Sequence, residues 1–181
     1  MDSGEGVLFY EEAGDLAEKD VNVLEPGDTA AYKTSFPNTM RYLELCTLSD
    51  SQIADLLDLM KELNAELTVT PEMQRRAVGA SGTRIFIAEN DAKRIVGCAT
   101  LCVYESPTGR KASVEDVVVL SAYRGQGIGR TLLQRIIDFA GSKLSPIDLH
   151  LTSNPSRVEA NALYQELGFK QRETNVYQMR L

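Results

Sequence analysis

The sequence predicts an α+β fold: a mixed, mostly antiparallel central sheet flanked by helices. Three apolar segments in a row, TRIFIAE (83–89), RIVGCATLCVYE (94–105) and ASVEDVVVL (112–120), are joined by links too short for a crossover helix. Such strands pair as an antiparallel meander. Beyond residue 120 helical and strand patterns alternate, which makes the sheet mixed rather than doubly wound. The chain has 181 residues, 43% hydrophobic and 25% charged. That is enough for one well-buried core and too little for two large domains.

The elements follow in order. Residues 1–40 combine many acids with Gly4, Gly6, Gly14, Pro26, Gly27 and Pro37, and have only GVLFY (6–10) to bury. They read as an acidic N-terminal arm, extended or partly ordered, ahead of a domain spanning 41–181. RYLELCTL (41–48) alternates like a half-buried strand. Ser49 or Asp50 then caps a helix with Ile53, Leu56, Leu57, Met60 and Leu63 at helical spacing. Pro71 opens a second, short helix that ends by Gly79. Asn90-Asp91 turns between the first two meander strands, and SPTGR (106–110) between the second and third. A helix follows with Ile128, Leu132, Leu133, Ile136, Ile137 and Ala140 in one stripe. IDLHLTS (147–153) is a strand, 156–167 a helix closed by Gly168, and FKQRE (169–173) and VYQMRL (176–181) are the last two strands.

Composition excludes several functions. Residues 1–50 carry eleven acids against Lys19, Lys33 and Arg41, while the rest of the chain balances to +1 within a net charge of −7. An acidic chain without a basic stripe is a poor nucleic-acid binder. No apolar run reaches the ~18 to 20 residues of a membrane span. The first twenty residues lack the basic-then-apolar order of a signal peptide, so a soluble, cytoplasmic protein is expected. Cys46, Cys98 and Cys102 are expected as core or near-core thiols, and with His150 as the one histidine no metal site is expected. His150 alternates with Leu149 and Leu151 and reads as structural.

The informative stretch is Arg124-Gly125-Gln126-Gly127-Ile128-Gly129-Arg130, between a strand and an amphipathic helix. Alternating glycines bring backbone close to a ligand, and first-turn N–H groups with the helix dipole behind them favour a phosphate or pyrophosphate. Arg124 and Arg130 would add mobile positive charge. A Walker A loop fits badly, because only three residues lie between Gly125 and Gly129 and Arg130 replaces its lysine. A dinucleotide fingerprint also fits badly: the loop reads GxGxG and follows an antiparallel meander.

Arg-x-x-Gly-x-Gly, carried by Arg124, Gly127 and Gly129, resembles the acetyl-CoA motif of the GCN5-related N-acetyltransferase (GNAT) superfamily. VEDVVVLSAYRGQGIG is similar to the core strand and loop of its glucosamine-phosphate acetyltransferase branch. NALYQELGF (161–169) resembles its Asn-x-x-Tyr-x-x-x-Gly-Phe segment. The resemblance implies the GNAT fold over 41–181, acetyl-CoA as co-substrate, no metal, a small-molecule or peptide amine as acceptor, and a homodimer as assembly. It implies cofactor contacts at Val117, Val118 and Val119, at the loop 124–130, and at Asn154 and Asn161. Tyr164 takes the role of proton donor to the departing thiolate. A proton acceptor for the amine is also needed, and Glu115 is the reading preferred here. Glu115 and Asp116 are neighbours on a strand and should face opposite sides; a one-residue slip would exchange them. A non-catalytic acyl-CoA-binding module is the alternative, though it would need the loop alone, without Tyr164, Asn161 and Glu115. A third reading makes the acidic arm an interaction segment.

Overall fold

The apolar run at 85–88 and the nearly continuous one at 95–101 mark strands covered on both faces. The computed structural model, which describes residues 39–180, places them at the middle of the sheet. The acidic arm thus lies outside the described residues, apart from Thr39 and Met40. Five strands are described: β1 (Arg41–Leu45), β2 (Thr83–Glu89), β3 (Ile95–Ser106), β4 (Gly109–Val119) and β5 (Asp148–His150). They lie in sequence order, β1 to β4 antiparallel and β5 parallel to β4. The helices are α1 (Asp50–Leu63), α2 (Pro71–Gly79), α3 (Ile128–Phe139) and α4 (Val158–Glu166).

Each sheet face packs its own cluster. Phe86, Ala88, Ala99 and Leu101 meet Leu132, Leu133 and Ile136 of α3, whereas Ile85, Ile87, Ile95 and Cys98 meet Leu56 and Leu59 of α1. Ser49 rather than Asp50 caps α1. Its Oγ accepts from Gln52 N (3.2 Å) and its own N–H donates to Gln52 Oε1 (3.0 Å), a reciprocal box. Pro71 takes the first turn of α2, as the sequence predicts, and Thr70 caps it. Cys46 departs from expectation, being exposed, because β1 ends one residue before it.

The expected C-terminal strands 169–173 and 176–181 are absent through Arg180. Their alternation finds no buried face: Val176, Tyr177 and Met179 are 73%, 87% and 82% exposed. The nearest strand in sequence, β5, has a ladder of three residues, much shorter than the expected 147–153. A strand needs both a partner edge and a face to bury.

A β-bulge interrupts β4. Thr100 stands opposite Glu115 and Cys98 opposite Val118, so Asp116 and Val117 share the position facing Ala99. Asp116 takes φ +50°, the left-handed region, where a non-glycine residue is strained. The bulge breaks the two-residue alternation on which the expected separation of Glu115 and Asp116 rested. Burial first, then the Glu115 charge, pushes the Asp116 carboxyl up. Burial first and then Asp116 pushes the Cys98 thiol to about 12, and both carboxylates add to the rise at Cys102. An Asp held above its unfolded value costs stability while ionised, a cost that disappears as pH falls below the unfolded value of 3.8. Asp116→Asn is therefore expected to raise Tm at pH 7 by up to about 3 °C, discounted for solvent screening. Thermal melts at pH 7 and pH 3 check it: the gain should shrink at the lower pH.

Candidate active site

The cleft begins where β4 and β5 part. They pair only between Lys111–Ser113 and Asp148–His150. Beyond Ser113 the outer edge of β4 therefore runs without a strand partner among the described residues, and the bulge re-aims it. Val117, Val118 and Val119 keep their side chains against the two core clusters while this backbone edge is left open.

After one 3₁₀ turn (Ser121–Tyr123) the loop bends through Gly125 (φ +74°) and Gly127 (φ +77°). Gly127 is the N-cap of α3, with no capping side chain. The helical ladder starts with Thr131 N–H to Gly127 O at 3.0 Å. The N–H groups of Ile128, Gly129 and Arg130 thus have no acceptor within the helix, and the positive end of its dipole stands behind them. These groups border a cleft of about 780 Å³ whose further walls are the C-terminal end of α1 and the N-terminal half of α4. Its size and its row of unpaired donors suit a diphosphate with an extended organic tail.

Of the residues singled out in the sequence, Val117, Val118, Val119, Arg124, Gly125, Gly127, Ile128, Gly129, Arg130 and Tyr164 line this one cleft. Gln126, Glu115, Asn154 and Asn161 lie outside its lining. Asn154 and Asn161 serve the loop before α4. Asn154 Oδ1 accepts from Ser156 N (2.9 Å) and Ser156 Oγ (2.8 Å), and Asn161 Nδ2 donates to Asn154 O (2.9 Å). The arginines are not the mobile charges expected. Arg124 donates Nε to Val119 O (3.0 Å) and Nη2 to Glu62 Oε1 (2.7 Å), while Arg130 pairs with Glu166. The positive field at the loop therefore rests chiefly on backbone amides.

Tyr164 is placed by the way α4 ends. Gly168, at φ +94°, closes the helix with a Schellman pair: Phe169 N–H bonds Tyr164 O and Gly168 N–H bonds Gln165 O, both at 3.0 Å. The accompanying apolar contact is Tyr164 itself, edge-to-face with Phe169 at 6.2 Å between ring centroids. The ring is 7% exposed and its residue borders the cleft. Burial raises the phenol above its usual 10, and the Arg157 charge pulls it partly back. Glu62, Tyr123 and Arg157 also line the cleft and were missed in the sequence. Arg157 precedes Tyr164 by seven residues, two helical turns, a spacing that could have drawn notice; Glu62 reaches the site from α1 and leaves no local signal.

A family model described as the acetyltransferase (GNAT) domain matches residues 81–171, half of the chain. A glucosamine 6-phosphate N-acetyltransferase from Trypanosoma brucei brucei is 32% identical over 149 residues, covering 77% of this chain and 95% of that protein. Among solved structures, an acetyltransferase from Trypanosoma brucei superposes with TM-score 0.61 at 27% identity, over 79% of this chain and 99% of its own. A putative acetyltransferase from Agrobacterium tumefaciens gives 0.65 at 26% identity, over 79% and 99%. The Arabidopsis thaliana glucosamine-6-phosphate N-acetyltransferase, at 20% identity over 78% and 98%, shares the fold with TM-score 0.62. A glycine-rich turn opening a helix beside a splayed strand edge, with a family match across half the chain and a relative matched over 95% of its own length, leads to one conclusion: the chain belongs to the GNAT acetyltransferases and is an N-acetyltransferase.

Proposed function

We propose that the cleft binds acetyl-CoA with its diphosphate on the loop 124–130, and that a small primary amine takes the acetyl group by direct attack within a ternary complex. The observation that carries this reading is the set of unpaired first-turn amides of α3, bordered by Gly125 and Gly127 and by the open edge of β4. Acetyl-CoA supplies the activated acyl group. The backbone of Val117, Val118 and Val119 is suited to hold its extended arm by hydrogen bonds, with the Val118 N–H as donor to the acyl oxygen. Tyr164 donates a proton to the departing sulfur, a task suited to a phenol that stays protonated at neutral pH.

The amine must reach the acyl carbon uncharged. We assign proton acceptance to Glu115, with Asp116 next to it at the bulge. Glu115 is held by a hydrogen bond from Ser113 Oγ. Burial first, and then the neighbouring Glu115 charge, raises the Asp116 carboxyl, so Asp116 takes up a proton more readily than a free aspartate.

For the acceptor we propose an amino-sugar phosphate. The Trypanosoma relative of that name, matched over 95% of its length, supports this choice. The test is release of free thiol from acetyl-CoA with glucosamine 6-phosphate, set beside glucosamine, an aminoglycoside and a lysine peptide. Saturable turnover highest with the phosphorylated sugar is the expected result. Turnover confined to the peptide would overturn the acceptor assignment, and no thiol release with any amine would overturn the reaction.

A further inference from the structure

Three arginines border the cleft: Arg124, Arg130 and Arg157. Two of them are engaged, Arg124 by Glu62 and Arg130 by Glu166. Arg157 has no carboxylate within ion-pair distance among the described residues, and its side chain is exposed at the N-cap of α4. Seven residues on, within the helix that Arg157 opens, stands Tyr164. Both line the one cleft, and the Schellman closure with Phe169 holds the tyrosine ring in place. The result is an uncommitted cation on the helix that carries the proposed acid.

We infer that Arg157 is a positioning residue for Tyr164, its guanidinium favouring the negative charge that the phenol oxygen carries once its proton has left. This inference rests on the proposed role of Tyr164. In the step concerned, the phenol O–H bond breaks, an S–H bond forms on the leaving sulfur, and the negative charge passes to the phenol oxygen until solvent returns a proton. A nearby cation lowers the energy of that charge, most of all at a buried phenol oxygen from which water has been removed. The other charged and titratable groups of the cleft are Glu62 on α1, Tyr123, Arg124 and Arg130 around the loop, and Glu159 on α4. Of all these, Arg157 alone acts on Tyr164 in addition to burial, opposing the rise that burial causes. Removing it leaves burial unopposed, so the phenol becomes a weaker acid.

The experiment compares wild type, Arg157→Gln, Arg157→Lys and Tyr164→Phe by steady-state kinetics. Titration of tyrosine side chains by NMR, with carbon-13 at Cζ, accompanies it; Tyr164→Phe identifies the Tyr164 signal. Arg157→Gln should lower kcat about 3- to 10-fold with KM for acetyl-CoA within about twofold, and move the Tyr164 titration to higher pH. Arg157→Lys should restore most of both. A raised KM at unchanged kcat would make Arg157 a ligand for an anion and overturn the inference, as would an unmoved Tyr164 titration in Arg157→Gln. If Tyr164→Phe keeps wild-type kcat, the proposed acid itself fails. If Tyr164→Phe is impaired while Arg157→Gln is not, only the present inference fails.

Discussion

Gly127→Val is expected to weaken acetyl-CoA binding about 100-fold, about 2.7 kcal/mol, in a protein that remains folded. Nothing lies within 4 Å of a Cβ built at Gly127, so that position has open space around it. The damage is conformational. Gly127 holds φ +77° at the start of α3, where a β-branched residue is a severe outlier. The chain relieves that strain by turning the peptide planes of the loop. Those planes aim the N–H groups of Ile128 and Gly129, so the diphosphate loses its donors while the core beneath keeps its packing. Gly129→Ala is the control. Gly129 has no left-handed φ, and its Cβ would stand 3.8 Å from Leu163 Cδ2 and 3.9 Å from Val119 Cγ2, ordinary contact. Binding should stay within about twofold of wild type there. Calorimetric titration of acetyl-CoA into both variants, with a thermal melt of each, checks the contrast. Equal affinities would remove the left-handed turn from the binding site.

Tyr164→Phe is expected to lower kcat about 100-fold, with KM for acetyl-CoA changed less than about threefold. The substitution keeps the ring, and with it the edge-to-face contact to Phe169 and the closure of α4. What it removes is one O–H group. If the phenol acts only when sulfur departs, its loss falls on the transition state and leaves ground-state binding alone. A fall in affinity at unchanged kcat would make Tyr164 a binding residue instead. A wild-type kcat would take the proton donor role from it altogether.

How much of this was legible in the sequence depends on how local each signal is. The meander, the Ser49 cap, the Pro71 helix start and the α3 stripe follow from patterns a few residues long, and the structure has them within a residue or two. The loop 125–129 was legible for the same reason, since Gly125 and Gly127 sit where positive φ is required. The bulge was not. Neither Asp116 nor Val117 is a glycine, and the extra residue is set by the register against β3. The fate of Arg124 was equally hidden, because its partner Glu62 lies 62 positions away on another helix. The C-terminal segments alternate in the manner of strands, yet alternation cannot reveal whether a buried face awaits them. Sequence thus located the glycine turn that opens α3 and missed the side-chain pairs that fix charges around it.

Backbone amide NMR of the uniformly nitrogen-15-labelled protein, titrated with coenzyme A and separately with pantetheine, reads the central claim at its own atoms. The account predicts large, saturable shifts at Gly127, Ile128, Gly129 and Arg130 with coenzyme A, and little movement there with pantetheine, which lacks the diphosphate. Coenzyme A binding that leaves those four amides in place would contradict it.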